Sequence, residues 1–262
     1  MLKFVHNQTV NDAIRIFLIL AAWLIAWQLL FKPLQMNPVL TSAPIPIFQA
    51  LYTAFLSGSV NNSPNLYSNI WITVYEVLVA FSINVAIGFS LGFSFGFASY
   101  IGRAFEPLIL MIQAFPIVVI FPIIVLFSGV SFVSNVILAI LIGLPYLVFN
   151  VASAIRSVNQ DYYKLGRSMG FSTFSNLRRI IFPEASPYFL QGLRLCFAYT
   201  YVGVIVAQII YVSNGLGYLV FWASTSFFPA DLFAFIAVIV AFGVLADFVF
   251  RVIDYRLLSW KY

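Results

Sequence analysis

Residues 107–155 read PLILMIQAFPIVVIFPIIVLFSGVSFVSNVILAILIGLPYLVFNVASAI, and no Asp, Glu, Lys or Arg interrupts them. A helix that crosses a bilayer needs about 20 apolar residues, so this one stretch has length for two crossings, placed at Leu108–Phe127 and Phe132–Ala154. Val77–Gly102 and Leu195–Ala230 are also uncharged and longer than one crossing. Over the whole chain 63% of residues are hydrophobic and 8% charged, against roughly 45–50% and about 25% in soluble domains. A water-soluble fold has nowhere to bury that much apolar surface. Lipid offers backbone groups no partner, so crossings are helices or a closed barrel, and a barrel would show short alternating strands in place of unbroken apolar runs. The reading is an all-α integral membrane protein, multi-pass in the cell membrane.

Six spans fit: Ala13–Phe31, Ile70–Phe97, Leu108–Phe127, Phe132–Ala154, Pro187–Val212 and Leu232–Phe250. With the N terminus inside, 12 of the 13 basic residues fall on the cytoplasmic side and only Lys32 falls outside. That asymmetry satisfies the positive-inside rule and predicts that both termini are cytoplasmic. The basic residues punctuate spans and form no aromatic-interleaved patch, so the net charge of +5 reports topology and excludes a nucleic-acid surface. The uncharged run Ile16–Phe31 approaches the length of a signal-peptide core. Trp23 and Trp27 are bulky for such a core and no small-residue cleavage site follows, which favours a retained first helix, although charge leaves cleavage open. After Pro44 and Pro46, Phe48, Leu51, Tyr52, Phe55 and Leu56 recur at helical spacing and predict a short helix lying on the outer membrane surface. Asn214–Asp231 reads as a turn or re-entrant helix. No separate soluble domain is visible, and residues 1–262 read as one transmembrane domain.

Few residues offer chemistry. No glycine precedes a lysine, which removes a phosphate-cradling P-loop, and Gly215-Leu216-Gly217 lacks the third glycine of a dinucleotide fingerprint. His6 is the only histidine and Cys196 the only cysteine, too few for a metal cluster or a nucleophile pair. The chain is therefore not expected to be an enzyme or to hold a cofactor. Glu76 and Asp247 are ionisable groups within spans. Asp247 has helical partners in Arg251, four residues on, and Arg251 has one in Asp254. Glu76 lies within two turns of the outer end of its helix, positioned either to reach the interface or to line a water-filled vestibule. Gln113, Asn150 and Gln208 are candidate pathway residues alongside it; Asn84 and Asn135 are similar, and interhelical hydrogen bonding explains all five equally well. Gly88, Gly92 and Gly96 share one helix face and predict close helix packing.

The longest cytoplasmic connection, about 156–186, carries the most distinctive pattern. A short helix over Gln160–Met169 is stopped by Gly170 in a left-handed cap, and a second after Ser172 is expected to end before Pro183. Tyr163, Leu165 and Met169, with Asp161, Lys164 and Arg167 nearby, make an apolar knob suited to a partner's groove. Lys164-Leu165-Gly166, then Gly170, Ile180 and Pro183 at the observed spacing resembles the Glu-Ala-Ala loop of binding-protein-dependent ABC importer permeases. Pro183-Glu184-Ala185, Gly192-Leu193-Arg194 and Gly215-Leu216-Gly217-Tyr218 extend the likeness to the nitrate, sulfonate and taurine branch. Lys164, Leu165 and Gly166 stand where the motif has Glu, Ala and Ala, so an ion pair made by that Glu does not carry over.

The resemblance implies a type I importer permease fold. Two permease copies would pair as a homodimer, and each loop would dock into a separate ABC ATPase subunit that holds ATP and magnesium. An extracytoplasmic solute-binding protein would deliver a small solute such as nitrate, a sulfonate or taurine. A secondary transporter or channel is the alternative; it predicts inverted repeats and buried coupling charges, and both signals are weak in this sequence.

Overall fold

The computed structural model describes residues 15, 18–19, 21–31, 41–158, 160–211 and 214–257, whose regular structure is entirely helical. The helices are α1 (Ala21–Leu30), α2 (Pro44–Ser57), α3 (Leu66–Phe97), α4 (Ser99–Ala114), α5 (Phe121–Ser128) and α6 (Phe132–Ser157). After these come α7 (Gln160–Ser168), α8 (Thr173–Asn176), α9 (Phe182–Ile210), α10 (Leu216–Thr225) and α11 (Pro229–Leu257). The chain forms two compact units, Met1–Leu66 with Leu219–Val238, and Tyr67–Tyr218 with Ile239–Tyr262.

In the first unit α2 begins on two prolines and ends at Gly58, whose φ of 74° suits a residue without Cβ. It buries Ala50 and Ala54 and exposes Phe48, Tyr52, Phe55 and Leu56, so its large apolar side chains point out of the unit. Gln28 accepts the Ile45 N–H at 3.0 Å, and Trp27 meets Phe233 edge to face. Asn61 donates to the buried Asp231 carboxylate at 2.9 Å in the first turn of α11, where an acid complements the helix dipole. The expected span Ala13–Phe31 lies partly outside the described residues; its described core is the 10-residue helix α1.

The second unit is organised by the glycines of α3. A Cβ at Gly88 would lie 2.7 Å from Leu147, one at Gly92 would lie 2.6 Å from Val151, and one at Gly96 would lie 2.7 Å from Ile155. Each step of four along α3 is matched by a step of four along α6, so the two helices run parallel in a fixed register. The chain leaving α3 must therefore return to where α6 begins, about 24 residues back along α3, or roughly 36 Å at 1.5 Å per residue. That distance is a membrane thickness, so α4 and α5 make one crossing between them.

This crossing is bent. The segments Gly102–Ala114 and Ile117–Ser128 meet at 80°, so the span expected over Leu108–Phe127 is present as two helices with a break between them. Pro116 disfavours the helical conformation at the residue before it, and Phe115 adopts φ −75° and ψ 132°. A 3₁₀ turn, Ile117–Ile120, then leads into α5. With α3, α6, Leu177–Ile210 and α11 as continuous apolar helices, the described residues hold four straight candidate spans and this broken one.

The expected helix stop before Pro183 is corrected. Leu177–Ile181 forms a π turn, closed by the Phe182 N–H on the Leu177 carbonyl five residues back, and the helix continues into α9. The wider turn relieves the i−4 carbonyl that a proline ring would strike. Pro187 then sits inside α9 rather than at its start. It has no N–H for the Pro183 carbonyl, which instead accepts from Ser186 Oγ at 2.7 Å. Beyond it α9 packs antiparallel on α6, with Gly192 against Asn150, Thr200 against Gly143 and Gly203 against Ala139.

Candidate functional site

The loop between α6 and α9 starts from a firm base. Arg156, in the last turn of α6, pairs with Glu106 of α4 at 2.8 Å. Helix α7 then runs to a left-handed Gly170 with φ 76°. Phe171 N–H donates to the Gly166 carbonyl and Gly170 N–H to the Arg167 carbonyl, both at 3.0 Å. These two bonds are the Schellman closure, and they satisfy carbonyls that a helix end leaves open. Ser172 caps α8 through the Ser175 N–H at 3.3 Å. Gly166 is buried because α8 comes so close: a Cβ there would lie 2.5 Å from Asn176 Oδ1. The Arg179 guanidinium stands 5.4 Å over the Phe171 ring.

The remaining loop residues fall around this bend. Asp161 and Lys164 are exposed and 3.4 Å apart, Arg167 is exposed, and Leu165 and Met169 are 54% and 62% exposed. Tyr163 lies within α7. Ile180 is half-buried in the π turn, and Pro183 and Glu184 are half-buried in the first turn of α9.

The sequence-predicted pathway residues divide. Glu76 and Gln208 meet in a buried polar network; Gln113 is half-buried in α4, and Asn150 donates to the Tyr146 carbonyl of its own helix at 2.7 Å. Glu76 is only 3% exposed, which makes it a contact between helices and not an interface residue. Its Oε1 accepts from Asn135 Nδ2 at 3.0 Å and its Oε2 from Gln208 Nε2 at 2.7 Å. Gln208 Oε1 accepts from Thr73 Oγ1 and from the Gly217 N–H, each at 3.1 Å. Thr73 Oγ1 accepts the Leu216 N–H at 2.8 Å, and Asn69 Oδ1 the Gly215 N–H at 2.6 Å.

The free amides at the start of α10 are thus held by Asn69 and Thr73 of α3 and by Gln208 of α9, while α6 and α9 supply the donors to Glu76. Asn69, Thr73 and Glu76 occur at spacings of four and three, one face of a helix, which is the sequence signal that would have found the network. Gly215, with φ 104°, and Gly217 leave the room that Gln208 occupies; a Cβ at Gly217 would lie 2.7 Å from Gln208 Cβ. Asp247 is shared by two arginines: Arg251 of its own helix at 2.8 Å, and Arg194 of α9, whose Nε donates at 2.7 Å. Of these only the Arg251 pair was legible in the sequence.

A cavity of about 430 Å³ lies between α3, α9 and α11, with Thr73, Phe81, Phe197, Tyr201, Phe242 and Phe250 among its walls. Its one hydroxyl near the network, on Thr73, is already committed to Gln208, so the cavity offers an apolar surface and little polar recognition.

Residues 84–259 match the family described as the binding-protein-dependent transport system inner membrane component. The chain belongs to this family. The matched region of this inner membrane component runs from the glycine face of α3 through the Gly170 bend to the end of α11. Its relatives include a putative aliphatic sulfonates transport permease protein, SsuC, of Bacillus subtilis, 26% identical over 60% of this chain and 56% of that protein. The formylaminopyrimidine transport permease protein ThiX of Halalkalibacterium halodurans is 26% identical over 61% of this chain and 64% of its own length. The taurine transport system permease protein TauC of Escherichia coli is 25% identical over 59% and 56%. The chain therefore spans less than two thirds of the length of these curated relatives. The methionine ABC transporter MetNI, in an inward-facing crystal form, superposes with a TM-score of 0.63 over 73% of this chain and 95% of that chain, at 15% identity. At that identity what is shared is the fold, that of a type I ABC importer permease.

Proposed function

We propose that this chain is the membrane-spanning permease subunit of an ATP-driven importer, and that it engages a separate ATPase through the loop around Gly170. The observation that carries the reading is the Schellman-closed bend, which holds Leu165 and Met169 in solvent between two spanning helices. Exposed apolar residues on a stiff, capped helix make a docking knob. In the working complex two copies would pair, with both termini and the loop on the cytoplasmic side and an extracytoplasmic binding protein delivering cargo opposite. ATP and magnesium would reside on the ATPase; this chain contributes motion.

The mechanism follows from the connections of the loop. The π turn continues into α9, and Arg156 ties the other end of the loop to α4 through Glu106. Closure of the two ATPase subunits would move the docked bends, and α6 and α9 would carry that displacement into alternating access at the interface of the two permeases. The proposed cargo is a small solute such as nitrate, a sulfonate or taurine, in keeping with relatives described as sulfonate, taurine and nitrate permeases.

The test is reconstitution of the chain with its cognate ATPase and binding protein, with wild type compared with Gly170→Pro. Hydrolysis that rises with loaded binding protein in the wild type and not in the variant supports the reading. An ATPase that neither binds nor responds to the wild-type chain defeats it.

A further inference from the structure

The bent crossing breaks in the middle of the bilayer. Pro116 is fourteen residues from Gly102 and twelve from Ser128, the two ends of the broken pair, and it has no N–H for the Ile112 carbonyl four residues back. Ala114, Phe115 and Pro116 are exposed and Gln113 is half-buried. Irregular backbone at that depth persists only where protein covers it or water reaches it.

A second polar feature lies beside the break. The Tyr146 ring of α6 stacks on the Tyr199 ring of α9, with centroids 3.6 Å apart and planes within 6°; Tyr199 is exposed and Tyr146 half-buried. Tyr146 is eleven residues from the end of α6 and Tyr199 eleven from the end of α9, so each stands about 16 Å inside its helix, near mid-bilayer. Ile117, just past the break, and Ile142, one turn before Tyr146, pack on the same cluster of Phe121, Leu138 and Ala207. Gly203, one turn after Tyr199, also lies against Ile142. The break and the tyrosines therefore share one level of the fold. Two phenols join through at most one hydrogen bond, which leaves an O–H and lone pairs that lipid tails do not satisfy.

We propose that this face of α6, α9 and the broken crossing is wet and lines the solute path, with Tyr146 and Tyr199 as the side chains a passing solute touches at mid-membrane. The inference rests on the permease reading given above and adds the surface that the solute meets. Residues 107–155 and 195–230 carry no charged side chain, so the face offers hydroxyls and open carbonyls and no fixed ion. Such groups suit a small polar solute with acceptor oxygens, held weakly enough to leave again. The same face of a second copy would close the path from the other side. Glu76 and Gln208, bonded in their own buried network, take no part in it.

The test makes Phe115→Cys, Tyr199→Cys and, as a mid-helix control on α11, Val244→Cys, all at exposed side chains. Each is made in a Cys196→Ala chain assembled with its cognate ATPase and binding protein in nanodiscs. The reagent is sulfonatoethyl methanethiosulfonate, which does not enter lipid and attacks the thiolate that forms in water. Phe115→Cys and Tyr199→Cys are expected to react about tenfold faster than Val244→Cys, and to change rate about fivefold when the ATPase is trapped with vanadate.

If neither site outpaces Val244→Cys while ATP hydrolysis still responds to the chain, the face lies in lipid; the inference falls and the permease reading stands. If Tyr199→Cys resists the reagent but forms a disulfide with its twin on oxidation, the face is a dry seam between copies and the inference is overturned. Reaction at only one of the two sites also overturns it, because the break and the tyrosines then share no path. If both sites react at rates that ignore the ATPase, the wet face stands and the coupling reading falls.

Discussion

Asn135 donates to Glu76 across an offset of 59 residues, and the same offset sets Leu147, Val151 and Ile155 against Gly88, Gly92 and Gly96. One parallel register of α3 and α6 therefore produces both the polar contact near one end and the glycine contacts toward the other.

Removing the Asn135 amide leaves one oxygen of a buried carboxylate without its donor. Asn135→Leu is expected to destabilise the chain by about 1–3 kcal/mol, read as a lower melting temperature in detergent. Adding Glu76→Leu should not restore the loss, because Gln208 Nε2 then loses its own acceptor. A single variant that melts like the wild type would show that Asn135 does not hold Glu76.

Gly92→Ala places a methyl 2.6 Å from Val151 Cβ. Overpacking of this kind costs about 1–3 kcal/mol, and Val151→Gly in the same chain, which removes that Cβ, should recover part of it. Equal melting of the single and double variants would rule out this contact as the cause.

Two glycines separate crowding from backbone strain. A Cβ at Gly217 would lie 2.5 Å from the Ile205 carbonyl oxygen and close to Gln208, whereas Gly129, with φ 71°, has open space around it. Gly129 also has ψ 174°, a region held almost only by glycine, so Gly129→Ala should cost about 1–3 kcal/mol of backbone strain alone. Gly217→Ala should instead crowd Gln208 and speed hydrogen exchange of the Leu216 and Gly217 amides, which exchange mass spectrometry can follow.

At Gly170 a Cβ also meets nothing within 4 Å, so Gly170→Ala is expected to cost about 1–2 kcal/mol of local strain and to retain part of the ATPase response. Gly170→Pro cannot reach φ 76° and loses the N–H donated to Arg167, so it should abolish the response. The melting temperature of the isolated chain should change little in either variant, because the spanning helices are untouched. A response that survives the proline would show that the bend is not the point of coupling.

The elements legible in the sequence were those written in short range. The step of four between Gly88, Gly92 and Gly96 needs only helical periodicity, and Gly170 followed by Ser172 is a local stop and start. The bend at Phe115 was also written locally, in Pro116, but the apolar run around it masked the signal. The path through Pro183 was not legible, since a proline reads as a stop unless a π turn before it makes room. The Glu76 network was hidden for a different reason: its members are brought together from α3, α6, α9 and the start of α10 across as many as 146 residues of chain. Asn135 and Gln208 look alike to Gln113 and Asn150 until the register is known. The Arg194 arm of the Asp247 cluster likewise depends on α9 and α11 lying side by side.

The glycine notches of α3 each accept one alkyl group of α6 and recur every four residues. To slide, α6 would have to lift Leu147, Val151 and Ile155 out together and drop them one notch along, a jump of about 6 Å. Smaller shifts jam side chain against backbone. Helices 3 and 6 must therefore rock as a single plank, and force arriving at one end of it emerges at the other as tilt.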